Sequence, residues 1–205
     1  MSVATLEPTA AGRFAVPPEP VLPLTVGQYH AMIRAGELES GATIELLEGW
    51  LVTKMTKSPP HSAATAKTRR RLNEILPDGW SVDAQEPVTT ADSEPEPDVA
   101  VIRGLREDDV ERHPGPEDVG LLVEVADTSL DRDRVWKKRI YATAPIPVYW
   151  IVNLADREIE VFSRPSGPCD QPDFGAHQVF FPGDRVPVVL DGQEVGQIAV
   201  DDLLP

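Results

Sequence analysis

The chain has 205 residues, 19 basic against 34 acidic, for a formal net charge of −15; its lone cysteine, Cys169, excludes an internal disulfide. One domain of this length buries about 70% of its unfolded surface, and so acidic a chain is excluded as a coat for nucleic acid, whose non-specific affinity rests on Lys and Arg contacts. No apolar run reaches the roughly 18 residues of a membrane span, and the opening MSVATLEPTAAGRF lacks the basic-then-apolar order of a secretory signal, so the expectation is a soluble, cytoplasmic protein.

Residues 1–23 carry five prolines and no helical or alternating apolar pattern, and read as a flexible proline-rich arm ahead of one domain over 24–205. At Thr25 a capping residue opens a short helix that sets Tyr29, Met32 and Ile33 on one face and ends near Gly36. TIELLEG and WLVTKM then form a β-hairpin across Glu48-Gly49. After Ser58-Pro59-Pro60, HSAATAKTRRRLNEILP predicts a second helix that stops before Pro77. WSVDAQEPVTT reads as extended, and EPEPDVAVIR enters a strand at Asp98, because Pro97 turns its neighbours away from helix. GLLVEVADT, apolar almost throughout, has the pattern of a strand buried on both faces. SLDRDRVWKKRIYATA spaces Leu130, Val135, Ile140 and Tyr141 as a helix, and IPVYWIVNL returns to a buried strand that meets REIEVFSRP across Ala155-Asp156. Alternation of this kind predicts an α/β class with a mixed central sheet and helices on both sides. PSGPCDQPDFGAH reads as a loop, and VFF, VPVVL and IAVDDLL supply short closing elements.

Two carboxylates fall where water is scarce. Asp98 opens the strand DVAVI and Glu124 interrupts LLVEVA. An unpaired charge moved from water into such a site costs several kcal/mol, so each must be paired, protonated or bound to a cation. Strand alternation puts Leu122, Glu124 and Ala126 on one face, and Asp98 on a neighbouring strand can reach the same space. Oxygen ligands of this type suit Mg²⁺ or Mn²⁺, with water completing the shell. Thirteen residues beyond Glu124 stands Lys137, four before Tyr141 and on the same helical face. An ammonium facing two carboxylates and a cation can orient a water nucleophile or offset the charge of a phosphorane-like transition state.

The ordered series ELLEGWLV, HSAA, EPEPDVAVI and LLVEVADTSLDRDRVWKKRIYATAPIPVYWIVNL resembles the Uma-two family of endonucleases in the PD-(D/E)XK, restriction-endonuclease-like superfamily. The resemblance runs from about Val26 to about Pro165, and more weakly to the end. It implies a restriction-endonuclease-like α/β domain, a Mg²⁺- or Mn²⁺-dependent hydrolase of nucleic-acid phosphodiesters, DNA above all, with Asp98 and Glu124 as metal ligands and Lys137 as the catalytic lysine. The superfamily lysine, two residues after the acid, would fall at Ala126; Lys137 on the following helix is the match, with Lys138 as its neighbouring alternative. Glu45 in IELLEG is implied as a third carboxylate that assists as an outer metal ligand, and Tyr141, one turn after Lys137, is expected to hold that lysine or a carboxylate by a hydrogen bond.

Each residue also has a plain structural reading. Asp98 can cap a turn, Glu124 can pair with an arginine, Lys137 can sit on a solvated helix face, and His61, after two prolines, is most simply a helix-start residue. His30, His113 and His177 have no ligand-like partners in sequence, so no zinc site is expected, and Cys169 has no adjoining base. Nine basic residues fall in two helices, Lys67, Arg69, Arg70 and Arg71 in one and Arg132, Arg134, Lys137, Lys138 and Arg139 in the other, forming strips that either contact phosphate or are balanced by nearby acids. With acidic REDDVERHPGPEDV between the two key strands, DNA binding is expected to be weak. A catalytically inactive nuclease-like binding or assembly module, and a hydrolase of a small phosphorylated substrate, are the alternatives; a homodimer is compatible with each.

Overall fold

The computed structural model describes residues 21–38, 44–104 and 112–205. Most of the arm over 1–23, and the first six residues (106–111) of the acidic stretch after the 99–103 strand, thus lie outside the described residues. Helix α1 (Val26–Ala35) has Thr25 and Gln28 in a reciprocal capping box and closes on Gly36 at φ 72°. Of its predicted apolar face, Tyr29 is buried while Ile33 is exposed. Strands β1 (Ile44–Leu47) and β2 (Trp50–Thr53) form the expected hairpin. Glu48 and Gly49 both take positive φ, 49° and 78°, the backbone that a two-residue turn matching strand twist demands.

Helix α2 (Pro59–Asn73) starts two residues before His61 under a Ser58 cap, and it ends short of Pro77. Ile75 and Leu76 follow in a turn and pack against the core, with the Leu76 amide bonded to the Leu72 carbonyl.

Six strands make the central sheet: β3 (Trp80–Asp83), β4 (Val99–Arg103), β5 (Val119–Ala126), β6 (Val148–Asn153), β7 (Glu158–Pro165) and β8 (Phe174–Phe180), hydrogen-bonded in that order. Within this sheet the β5–β6 pair is parallel, and the remaining pairs are antiparallel. Every residue of β5 and β6 is buried, as their near-continuous apolar runs require.

The crossover between the two parallel strands departs from the expected single α-helix. Arg132–Lys137 forms a π-helix that passes into α3 (Lys138–Thr143). Such widened turns recur at functional sites, and this one turns Asp133, Trp136 and Lys137 inward.

Alternation sorts the sheet's side chains into two cores. Val99, Val101, Leu121, Val123 and Val125 pack with Ala64 and Leu72 of α2 and with the terminal hairpin of β9 (Arg185–Leu190) and β10 (Gln193–Ala199). Ala100, Ile102, Leu122, Ala126 and Tyr149 pack with Trp136, Ile140 and Tyr141 of the crossover. Helices thus cover both faces, and the even-numbered side of β5 looks toward the π-helix.

Candidate active site

Four elements place the candidate residues. In the β4–β5 ladder Val99 pairs with Val123, so one further rung sets Asp98 opposite Glu124. Glu45 stands on β1, whose hairpin is pinned to the crossover at its turn: Glu48 accepts hydrogen bonds from Trp136 Nε1 at 2.8 Å and from Arg139 Nε at 2.7 Å. The same hairpin holds the segment leading to Asp98, since Glu94 N donates to the Leu46 carbonyl and Glu96 N to Glu45 Oε2. Lys137 ends the π-helix and Tyr141 follows one turn later.

These side chains converge. Lys137 Nζ lies 2.9 Å from Glu124 Oε1 and 3.4 Å from Glu45 Oε2. Tyr141 donates its hydroxyl proton to the same Glu124 oxygen at 2.7 Å. Asp98 Oδ2 accepts from the Val125 amide at 2.9 Å and lies 3.0 Å from His61 Nε2. Glu45, Asp98, Glu124 and Lys137 are at most 8% exposed, yet all four line one cleft of about 70 Å³, room for several waters. Lys138 is turned away and pairs with Asp173 at 2.9 Å, so of the two adjacent lysines it is Lys137 that faces the carboxylates.

Burial sets the electrostatics. It pushes the Glu124 carboxyl well above the ordinary range, with Lys137 as the main opposing charge. Burial would likewise strip the Lys137 amine of its proton, but Glu124, Glu45 and Asp133 together hold it protonated beyond its ordinary value. For Asp98 burial acts upward too, and the His61 ring, the Val125 amide and Lys137 outweigh it and keep the carboxyl below its usual value.

Two residues join the cluster that the sequence reading did not place in it. Asp133 lines the cleft, 3% exposed, with its carboxyl pushed up to about 6 chiefly by burial; Ser129 Oγ donates to it at 2.6 Å. Its position four residues before Lys137 was a usable signal. His61, read from sequence as a helix start, reaches Asp98 from the first turn of α2, a contact that depends only on how α2 docks against β4. Arg132 rims the cleft, donating to the Thr53 carbonyl at 3.0 Å and lying 3.9 Å from Glu45.

The two basic strips resolve toward balance by acids. Arg134 bonds Glu160, Arg139 bonds Glu48 and Lys138 bonds Asp173. On α2, Arg70 and Arg71 pair with Glu74, Arg71 also with Asp202, and Lys67 donates to the Leu204 carbonyl. The basic groups at the cleft itself are Lys54, Lys57, Arg132 and Lys137.

A six-stranded mixed sheet covered by helices, with carboxylates gathered where β4 and β5 meet the crossover, is the restriction-endonuclease-like α/β class. A solved structure from Anabaena variabilis ATCC 29413, titled a "putative nuclease belonging to DUF820", has a similar fold: TM-score 0.64 at 17% identity, covering 88% of this chain and 97% of that one. The Uma2 family model, described as "Putative restriction endonuclease", matches residues 26–192, and the chain belongs to that family. No curated protein matches it. Among the described residues no helix is long and apolar enough to cross a membrane.

Proposed function

We propose that the chain is a Mg²⁺- or Mn²⁺-dependent endonuclease that hydrolyses phosphodiester bonds, those of DNA in particular. The observation that carries this reading is the gathering of the buried carboxylates of Glu45, Asp98 and Glu124 and one buried ammonium around a single open cleft.

The donor set fits a hard cation that keeps much of its water. Asp98 has both protein donors on Oδ2 and Glu124 has both on Oε1, which leaves Asp98 Oδ1 and Glu124 Oε2 without a hydrogen bond from the described residues. Among the described residues no group of three or more His, Cys, Asp or Glu side chains is placed to hold a metal ion. Mg²⁺ needs none, since one or two carboxylates and several waters are its usual complement. Asp98 and Glu124 would be the ligands, with Glu45 outside them.

When bound, such a cation supplies Lewis-acid polarisation of a phosphoryl oxygen. The chain's own groups do the rest. Lys137, held as an ammonium, orients the attacking water and offsets charge that builds on the phosphate; it does not act as a proton acceptor. Tyr141 fixes Glu124 by its hydrogen bond, and the acidic lining disfavours a phosphate until its charge is offset.

The test is plasmid cleavage with Mg²⁺ or Mn²⁺ by wild type, Asp98→Ala and Glu124→Ala. Cleavage by wild type alone supports the assignment, and equal cleavage by all three overturns it.

A second reading, a nuclease-like binding module without turnover, is favoured by one observation. Lys137 already pairs with both Glu124 and Glu45, so these acids have a counter-charge of their own. Calorimetric titration with Mn²⁺ separates the two, because the module reading requires no cation at the Asp98 and Glu124 pair.

A further inference from the structure

The Asp98 carboxylate is held by two donors of different kinds. One is the Val125 amide, fixed by the sheet itself. The other is His61 Nε2, which arrives from the first turn of α2 and has no covalent or strand-pairing tie to Asp98. The imidazole is mostly buried and lines the same cleft as the carboxylates. Its second nitrogen, Nδ1, is buried and has no hydrogen-bond partner among the described residues.

That asymmetry selects the tautomer. A proton on Nδ1 would leave a buried N–H donor unsatisfied, at the cost of a full desolvation penalty, whereas a proton on Nε2 is shared with a carboxylate. Nε2 therefore carries a proton and donates it to Asp98 Oδ2. Both protein bonds then fall on Oδ2, and Oδ1 is left for an outside ligand. Rotation of the carboxylate about its Cβ–Cγ bond would exchange the oxygens, and the His61 bond opposes it from a second direction.

We infer that His61 is a positioning residue of the candidate site: it orients Asp98 so that Oδ1 is offered to a divalent cation. The inference rests on the metal-dependent reading above. It assigns His61 no contact with substrate and no proton transfer. Partners of this kind, one step behind a metal ligand, change metal affinity by about 10- to 100-fold when removed.

The experiment titrates Mn²⁺ calorimetrically into the full-length chain and into His61→Phe and His61→Gln, each checked by thermal unfolding. Phe keeps the ring volume without a donor, and Gln restores an N–H donor. The expected result is a loss of about 10- to 100-fold in Mn²⁺ affinity for His61→Phe, with recovery in His61→Gln. Equal affinity in wild type and His61→Phe overturns the His61 role while leaving the metal reading intact. Absence of Mn²⁺ binding in wild type overturns the metal reading and this inference with it.

A metal-free measurement stands beside these. In ¹H–¹⁵N spectra of the wild-type imidazole, a proton on Nε2 is expected, and Asp98→Ala should shift the Nε2–H resonance that this hydrogen bond sets. A ring found as Nδ1–H overturns the inference even if His61→Phe does not fold.

Discussion

Replacing Lys137 by Met tests the charge balance of the cleft at its centre. The substitution keeps most of the buried stem and removes only the ammonium. In wild type that ammonium sits 2.9 Å from Glu124 and 3.4 Å from Glu45, and it also opposes the charge of Asp133. All three acids are at most 4% exposed, so without Lys137 they face one another with Arg132, 3.9 Å from Glu45, as the nearest remaining cation among the described residues. Breaking a buried pair by deleting one partner costs about 3–5 kcal/mol, and that is the loss expected at pH 8. The loss should shrink in acid. Glu124 already has a folded-state pKa raised above its unfolded value, and losing its main opposing charge raises it further. A raised acid favours the folded state while protonated, below the unfolded pKa, and that advantage disappears as pH climbs through the folded one. Every tenfold gain in the proton affinity of the folded-state carboxyl is worth about 1.4 kcal/mol. Urea unfolding followed by fluorescence of the four tryptophans, at pH 5, 6.5 and 8, reads the difference from wild type at each pH. A deficit below about 1 kcal/mol at pH 8, or one that grows toward pH 5, would mean that Lys137 does not balance these acids. The double variant Lys137→Met with Glu124→Gln should recover part of the loss, because the amide needs no counter-charge.

Asp133→Asn isolates a second pH effect: the carboxyl titrates near 6 when folded against 3.8 ordinarily, so wild type should lose stability relative to the variant as pH rises from about 4 to about 6, by up to about 3 kcal/mol. Urea titrations of both proteins at half-unit pH intervals check this, and parallel profiles would contradict it. Tyr141→Phe removes a 2.7 Å bond to a buried carboxylate while keeping the ring against Tyr149, and should cost about 1.5–3 kcal/mol in the same assay. Gly120→Ala would set a Cβ 2.6 Å from the Trp80 ring and 2.7 Å from Leu190, where side chains from β3 and β9 lie on β5. Overpacking of that kind costs about 1–3 kcal/mol, seen as a lower melting temperature with no change in spectroscopic secondary structure.

The amino-acid sequence by itself carried most of the local structure, because local structure answers to local rules. The cap at Thr25, the Glu48-Gly49 turn and the apolar runs of β5 and β6 each follow from a few adjacent residues. It also marked Asp98, Glu124, Lys137, Tyr141 and Glu45 as one candidate set; strand alternation and i,i+4 spacing pointed to some of these and family resemblance to others. What it left open needed three-dimensional docking. Whether Lys137 or Lys138 faces the acids turns on the phase of a helix that is π-wound up to Lys137, a feature with no sequence period of its own. Apart from Glu74 beside Arg70 and Arg71, the acids that pair with the basic strips lie far along the chain, such as Glu160 for Arg134 and Asp202 for Arg71, so most of the balance emerges only once the sheet and helices are packed. His61 meets Asp98 across 37 residues for the same reason. Periodicity determines which face of an element is apolar, whereas the partner of a buried charge is decided by which elements pack against that face.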